Sequence, residues 1–130
     1  MYEAVTHGVR VAVTPQFLAD KSDPSEHRWV WAYTIEITNL TTAPVQLRSR
    51  YWRIVDARGH QQEVRGPGVV GEEPVIPPGD SFEYTSGCPL STSSGLMVGE
   101  YVMEDAQGER FTIDIPAFSL DSPGEKRLVN

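Results

Sequence analysis

Hydrophobic and polar residues alternate with a period of two along most of this chain. In 28-RWVWAYTIEITN-39, every second residue from Trp29 to Ile37 is aromatic or aliphatic, whereas Thr34 and Glu36 between them are polar. This pattern is typical of a strand with one buried face and one face in water. Similar patterns predict further strands at 9–17, 45–58, 60–65, 81–87, 95–105 and 109–118.

These segments predict an all-β fold. No window has a 3.6-residue apolar period, and prolines interrupt most of the connections. About seven short strands separated by turn signals favour an antiparallel two-sheet sandwich, immunoglobulin-like or fibronectin type III-like. A small barrel is the alternative, and the sequence separates the two poorly.

Two strands have special features. In 45–58 the apolar positions change from odd to even numbers, which predicts a bulge or a change of sheet near Tyr51 and Trp52. The polar segment 60–65 is predicted to be an edge strand, which could add a peptide or a second copy of the chain as a homodimer.

The size and composition indicate one domain. The chain has 130 residues, and we expect the domain to span residues 1–120, followed by a flexible tail at 121–130. The single cysteine, Cys88, and an N-terminus without a secretion signal favour a cytoplasmic location. A net charge of -7 argues against binding to nucleic acid, and the apolar runs are too short for a membrane helix.

The stretch 66-GPGVVG-71 matches the G-x-G-x-x-G fingerprint of dinucleotide-binding proteins. That fingerprint requires a helix directly after the glycines, whose N-terminus holds the pyrophosphate. Pro77 and Pro78 would both lie inside such a helix, where each proline costs about 3 kcal/mol. The sequence therefore predicts no dinucleotide site.

The same glycines leave two other roles open. Backbone N–H groups around Gly66, Gly68 and Gly71 could form a nest for an anion, although Pro67 removes one donor. Alternatively, the glycines serve a structural role by allowing positive φ and close approach of the chain. We favour the structural role, because acidic residues follow the loop directly.

A longer pattern is similar to the ApaG family. It comprises 66-GPGVVGEEPVIPPGDSFEYTSG-87 and 95-GLMVGEYVM-103, with further agreement at 32–39 and 48–59. The resemblance implies a fibronectin-like sandwich that occurs alone in bacteria and as a module in eukaryotic F-box proteins and a polymerase-interacting protein. It also implies a historical association with cobalt and magnesium efflux and a gene that often neighbours a dinucleoside tetraphosphate hydrolase. The family has no established catalytic residues that could be transferred to this chain. The chain departs from the family at Tyr51, where histidine is common.

Neither a metal site nor an enzyme site is expected. The histidines His7, His27 and His60 lie on separate segments, and no Cys-x-x-Cys or His-x-x-x-His pair is present. The serines lack a G-x-S-x-G motif, and a lone cysteine is more often a small buried apolar residue. We therefore expect no cofactor, no metal and no catalytic residue.

Arginines are concentrated in one part of the sequence. Five of the eleven basic residues fall within eighteen positions: Arg48, Arg50, Arg53, Arg58 and Arg65. Such a patch, beside aromatic residues and a glycine loop, suits a phosphate, a nucleotide or an acidic peptide. The alternative, which we favour, is that acidic residues on neighbouring strands neutralise these arginines across the sheet.

The residues together predict a binding protein. The apolar Val69, Val70, Val75 and Ile76 either pack over the end of the sandwich, which we favour, or form an exposed patch. We expect a non-enzymatic module that binds a protein partner, or alternatively one that binds pyrophosphate or a dinucleoside polyphosphate through Arg50, Arg65 and the amides of the glycine loop. The candidate binding residues are Arg48, Arg50, Trp52, Arg65, Gly66, Gly68, Val69, Val70 and Gly71.

Overall fold

Strands form nearly all of the regular structure. The computed structural model describes residues 1–123. Its strands are β1 (Tyr2–Thr6), β2 (Val9–Phe17), β3 (Trp29–Asn39), β4 (Val45–Asp56), β5 (Gln61–Pro67), β6 (Val75–Ile76), β7 (Ser81–Leu90), β8 (Ser94–Glu104) and β9 (Arg110–Asp121). Two short 3-10 turns lie at Ala19–Lys21 and Pro24–Glu26. Within residues 1–123, no helix is both long and apolar enough to cross a membrane.

The strands form two antiparallel sheets. One sheet has the order β1-β2-β3-β7, and the other has the order β5-β4-β8-β9, with β6 paired to the start of β4. This arrangement confirms the predicted all-β sandwich. The described strands number nine rather than about seven. The two strands that were not predicted are β1, which is only partly buried, and β6, which is two residues long.

Aromatic side chains fill the space between the sheets. Trp31 of β3, Tyr101 of β8 and Phe118 of β9 are almost fully buried. Trp52 packs between Tyr33 and Phe118, with ring centroids 5.4 and 5.9 Å away. Complete burial of one large apolar side chain contributes about 1.5–3 kcal/mol to folding, so this cluster holds the two sheets together.

A bulge in β4 explains the broken alternation. The register of β4 against β8 shifts between Leu47 and Ser49, whereas the sequence predicted the irregularity near Tyr51 and Trp52. That predicted position was wrong. The parity changes between the buried Leu47 and Trp52, but the four residues between them are all half-buried, so their pattern does not indicate where the change occurs. The extra residue at the bulge is Arg48, so Arg48 and Arg50 do not share a face as strict alternation implied.

A tight turn joins β4 to β5. The side chain of Asp56 accepts hydrogen bonds from the backbone N–H groups of Arg58 and His60, at 2.9 and 3.0 Å. Burial alone would raise the pKa of this carboxyl, but the two N–H donors outweigh it and hold the pKa below its ordinary value. The ionised carboxylate therefore supports the turn.

The two sides of the sandwich differ. On one side β1 and β9 are linked, because the hydroxyls of Tyr2 and Ser119 are 3.0 Å apart. On the other side β5 and β7 are both edge strands, as predicted for 60–65, and the space between them is open.

The predicted C-terminal tail is only partly described. Asp121, the first residue of the expected tail, ends β9. Residues 124–130 lie outside the described residues, so the tail stays a prediction.

Candidate functional site

The glycine stretch forms a tight hairpin turn. Val69 and Glu72 exchange backbone hydrogen bonds, both 2.8 Å long. Between them, Val70 and Gly71 have φ of 43° and 81°. Two consecutive positive φ angles are typical of a type I′ turn. The chain then continues to β6 without a helix, so the helix that the dinucleotide fingerprint requires is absent here, as Pro77 and Pro78 predicted.

Each of two glycines in this loop has its own structural reason. Gly68 has φ of 61°, and a Cβ added to it would lie 2.2 Å from the carbonyl oxygen of Glu72. Gly66 has no positive φ, but its added Cβ would lie 3.0 Å from the guanidinium of Arg50. The first glycine allows the turn to close, and the second leaves room for an arginine.

Backbone donors of the loop are largely used within the protein. The N–H of Gly68 donates to the carbonyl of Arg48 at 2.9 Å, and the N–H of Val69 donates to Glu72. Pro67 has no N–H to offer. Gly68 and Val69 therefore have no free N–H for the anion nest that was the alternative interpretation of the glycines.

The apolar residues of the loop divide into two groups. Val69 and Ile76 are buried in the core, as packing predicted, whereas Val70 and Val75 are 56% and 59% exposed. Packing was thus the right prediction for half of them. Val70 is unusual, since a β-branched residue at positive φ is an outlier that costs about 1–2 kcal/mol. The fold holds an apolar side chain in solvent on a strained backbone.

Arg50 is fixed against the glycine loop. Its Nη1 donates to the carbonyl oxygens of Pro67 and Gly68, both at 2.9 Å. Its guanidinium lies over Gly66. Among the residues that the structure describes, no carboxylate oxygen lies within 4.0 Å of Arg50. This arginine is oriented by carbonyl groups and keeps its charge without an acidic partner.

Two of the five clustered arginines lie beside acidic residues, as we favoured from the sequence. Arg50, Arg53 and Arg58 have no carboxylate oxygen within 4.0 Å among the described residues. Arg48 lies 3.4 Å from Glu73 and 3.7 Å from Glu104. Arg65 lies 3.8 Å from Glu63 and stacks on the ring of Tyr51, with its guanidinium carbon 4.3 Å from the ring centre.

Arg50 and Arg65 lie on opposite faces of the sheet. Tyr51 pairs with Arg65 in the register of β4 and β5. Arg50 precedes Tyr51 in the same strand, and successive side chains of a strand point to opposite faces. The structure therefore does not bring together the pair of arginines on which the phosphate-binding alternative relied.

An open groove, here called the β5–β7 cleft, runs between these two edge strands. It consists of three adjoining cavities of about 260, 300 and 230 Å³. Tyr33, Arg50 and Trp52 line both the central cavity and the one beside the glycine loop. Val70 lines the latter cavity as well. The cleft thus joins four features: an unpaired arginine, aromatic walls, an exposed valine and two strand edges.

Hydroxyl groups of Tyr33, Tyr84 and Ser86 on the opposite sheet line a cavity with Arg50, and Tyr101 lies on β8, next to β4 in the sheet of Arg50 itself. The hydroxyls of Tyr84 and Tyr101 are 2.5 Å apart, and Tyr33, Tyr84 and Ser86 line the cavity beside the loop. Burial raises the pKa of Tyr33, Tyr84 and Tyr101, so these phenols stay protonated at neutral pH. This group was not predicted, because nothing in the sequence shows which residues of β3 and β7 lie across from β4.

Other chemical candidates stand apart from this cleft or are inert within it. Cys88 is buried in its wall, and burial raises the pKa of the thiol to about 11. Among residues 1–123, no three His, Cys, Asp or Glu side chains are grouped to hold a metal ion. A separate cavity of about 360 Å³ lies beside His7 and Phe111, and backbone N–H groups already hold its carboxylate, Asp105.

Comparison with known proteins gives close relatives. A family model described as the ApaG domain matches residues 19–105. Proteins named Protein ApaG from Brucella anthropi and Mesorhizobium japonicum are 59% and 60% identical to this chain over 130 residues, which is the full length of each. A Bordetella pertussis crystal structure that carries the name ApaA is 47% identical, with a TM-score of 0.86, and covers 88% of this chain and 94% of its own. A second solved structure, at 41% identity and a TM-score of 0.85, covers 93% of this chain and 92% of its own.

Proposed function

The chain belongs to the ApaG domain family, as the resemblance of its sequence predicted, and from this premise we propose that it is a non-enzymatic module for binding a protein partner. The binding surface is the β5–β7 cleft together with the Val70 turn on its rim. The proposed location is the cytoplasm. Any link to cobalt and magnesium efflux is indirect and runs through that partner.

The backbone at Val70 is the observation that carries this proposal. A type I′ turn favours asparagine followed by glycine, yet this turn has valine followed by Gly71. Strained backbone persists mainly at functional sites, where a gain in binding offsets its cost. An exposed valine at such a position, beside a cleft, suits contact with an apolar group of a partner.

The strand edges give the partner a second means of attachment. Both β5 and β7 end their sheets and flank the cleft. An edge strand presents unpaired backbone N–H and C=O groups, which an extended segment of another protein can pair with. Backbone pairing would supply affinity, and the cavities between the sheets would select side chains.

Site-specific photo-crosslinking in cells tests the proposal. A photoreactive amino acid replaces Val70 in one variant and Val5 in the other, since Val5 is 59% exposed and lies on β1, away from the cleft. We expect position 70, and not position 5, to crosslink repeatedly to the same protein. With that protein purified, Val70→Asp should weaken binding by at least about tenfold, as loss of a central apolar contact does, and Val5→Asp should not. Equal crosslinking from both positions would contradict the proposal.

Phosphate or nucleotide binding is the second candidate. The observation that favours it is Arg50, a half-buried cation without an acidic partner among the residues described. Pyrophosphate or a dinucleoside tetraphosphate should then raise the melting temperature, because a ligand that binds only the folded state stabilises it. Arg50→Gln should abolish the rise, and Arg65→Gln, on the outer face, should leave it intact. A flat response of the wild type would remove this candidate.

A further inference from the structure

The guanidinium of Arg50 has one edge free. Both hydrogens of its Nη1 are directed to the carbonyl oxygens of Pro67 and Gly68. Its Nε and Nη2 have no hydrogen-bond partner among the described residues, and neither belongs to the buried unpaired atoms, which comprise only Nε of Arg48. The hydrogens on Nε and Nη2 point in parallel and match the two oxygens of one carboxylate. The loop carbonyls thus hold one side of the guanidinium and leave this edge, a fork of two N–H groups, free at a residue that lines the cleft.

One hydroxyl hydrogen of the Tyr84–Tyr101 pair is also without an acceptor among the described residues. Tyr84 and Tyr101 together have two hydroxyl hydrogens, and the contact between them uses one. Tyr101 is fully buried, whereas Tyr84 lines the cavity of about 230 Å³ beside Arg50. When Tyr101 donates to Tyr84, the hydrogen of Tyr84 is available to a ligand in that cavity. A carboxylate between the sheets would accept from both Tyr84 and Arg50.

The surroundings favour a single negative charge. Among residues 1–123, no acidic side chain lines the central cavity or the cavity beside the loop, and Arg50 is the only charged residue in either lining. Trp52 and Val69 form apolar walls, which strengthen the attraction between an arginine and an anion. This local cation stands out in a chain with a net charge of -7.

Carboxylate fits this site better than phosphate does. Phosphate-binding loops direct several backbone N–H groups at the ligand, whereas the N–H groups of Gly68 and Val69 donate to the protein's own carbonyls. One guanidinium edge and one phenol supply three donors in all, enough for the two oxygens of a carboxylate. Arg50 lines two adjoining cavities of a continuous groove. A ligand peptide that carries the carboxylate therefore has room to extend in both directions along β5 and β7.

We propose that Arg50 and Tyr84 bind the carboxylate of an acidic side chain, carried by an extended segment of a partner protein in the β5–β7 cleft. This inference rests on the proposed function and names the chemistry that the partner must supply. Arg50 provides the fork, the loop carbonyls hold the fork in place, and Gly66 leaves the space that the guanidinium occupies.

Nuclear magnetic resonance of the full chain labelled with ¹⁵N tests this proposal. The probes are a blocked valine-glutamate-valine tripeptide, its glutamine analogue and pyrophosphate, and the signal is the side-chain Nε–Hε resonance of Arg50. We expect the glutamate peptide to shift this resonance and the amide of Ser86 saturably. The glutamine peptide should bind about tenfold more weakly or worse, since charge-assisted hydrogen bonds are the stronger ones. Equal affinity for the two peptides, or no saturable shift, would overturn the inference.

Substitutions of Arg50 distinguish the effect of its planar guanidinium from the effect of its positive charge. Arg50→Lys keeps a positive charge but loses the planar fork, so its preference for glutamate over glutamine should fall to less than half of the wild-type ratio. Arg65→Gln is the matched control on the outer face and should bind as the wild type does. Amide spectra of each variant show whether it is folded, and the wild-type comparison of the two peptides does not depend on any variant. Saturable binding of pyrophosphate but not of the glutamate peptide would assign the site to phosphate instead.

The two proposals fail in different ways. If position 70 crosslinks to one partner but Arg50 does not respond to the glutamate peptide, the carboxylate inference falls and the binding module stands. If the glutamate peptide binds as expected but no partner is captured, the carboxylate site stands and the proposed function fails. If the captured protein is a second copy of this chain, the proposal of a different partner protein is wrong. The molecular mass in solution would then show a dimer.

Discussion

Replacing Val70 by asparagine should stabilise the protein at the expense of binding. Val70 has φ of 43°, where a side chain with Cβ costs about 1–2 kcal/mol and asparagine is tolerated far better. The substitution also removes partial burial of a side chain that is 56% exposed, a loss of about 0.5–1 kcal/mol. The net expectation is a gain of about 0.5–1 kcal/mol in the free energy of unfolding, because asparagine followed by Gly71 suits the turn.

Urea unfolding of the purified wild type and variant measures this difference. A gain of this size would also raise the melting temperature by about 2–5 °C for a domain of this length. Val5→Asn is the matched control, since Val5 is similarly exposed but lies in extended backbone, and it should leave the protein unchanged or slightly less stable. If Val70→Asn leaves the free energy of unfolding unchanged or lowers it, as expected for Val5→Asn, the backbone at Val70 is not strained as inferred.

Three further predictions concern other groups. Gly68→Ala should lower the free energy of unfolding, measured in urea, by about 2–4 kcal/mol, because the added Cβ clashes with the backbone at a position that already has a positive φ. Gly71→Ala should lower it by only about 1 kcal/mol, because the space around Gly71 is open. Cys88 should react with a thiol reagent at pH 8 about 100-fold more slowly in the folded than in the unfolded protein, because burial raises the pKa of its thiol from 9.0 to about 11. Equal reaction rates would contradict the burial of Cys88. The pKa of Asp56 is lowered, so the stability it contributes is present above its ordinary pKa of 3.8 and is lost as pH falls through the native value. The difference in melting temperature between wild type and Asp56→Asn should therefore narrow below pH 3.8, and a constant difference would refute the assignment.

The fold could be predicted from the sequence because alternation is strong where burial is one-sided. In β3, the residues from Trp31 to Ile37 point alternately to the core and to the outer face, so their pattern indicates both the strand and its inner side. The strand β6 was missed because two residues carry no period, and β1 was missed because neither of its faces is fully buried.

The site could be predicted only in part. The arginines and glycines were recognised from residue type, but the bulge at Arg48 places Arg48 and Arg50 on different faces, and bulge positions depend on pairing with β8. The contribution of Tyr84 and Ser86 depends on which strands face each other across the sandwich. Such contacts join residues far apart in sequence, and alternation within one strand does not reveal them.

Mapping the bound partner onto the amide resonances tests the central claim most directly. The protein labelled with ¹⁵N is titrated with the purified partner that crosslinks to position 70. If the β5–β7 cleft is the binding surface, the largest changes should fall on β5, on β7 and on residues 68–72, and they should be lost with Val70→Asp. Changes centred on β1 and β9, with the cleft resonances unmoved, would contradict the account.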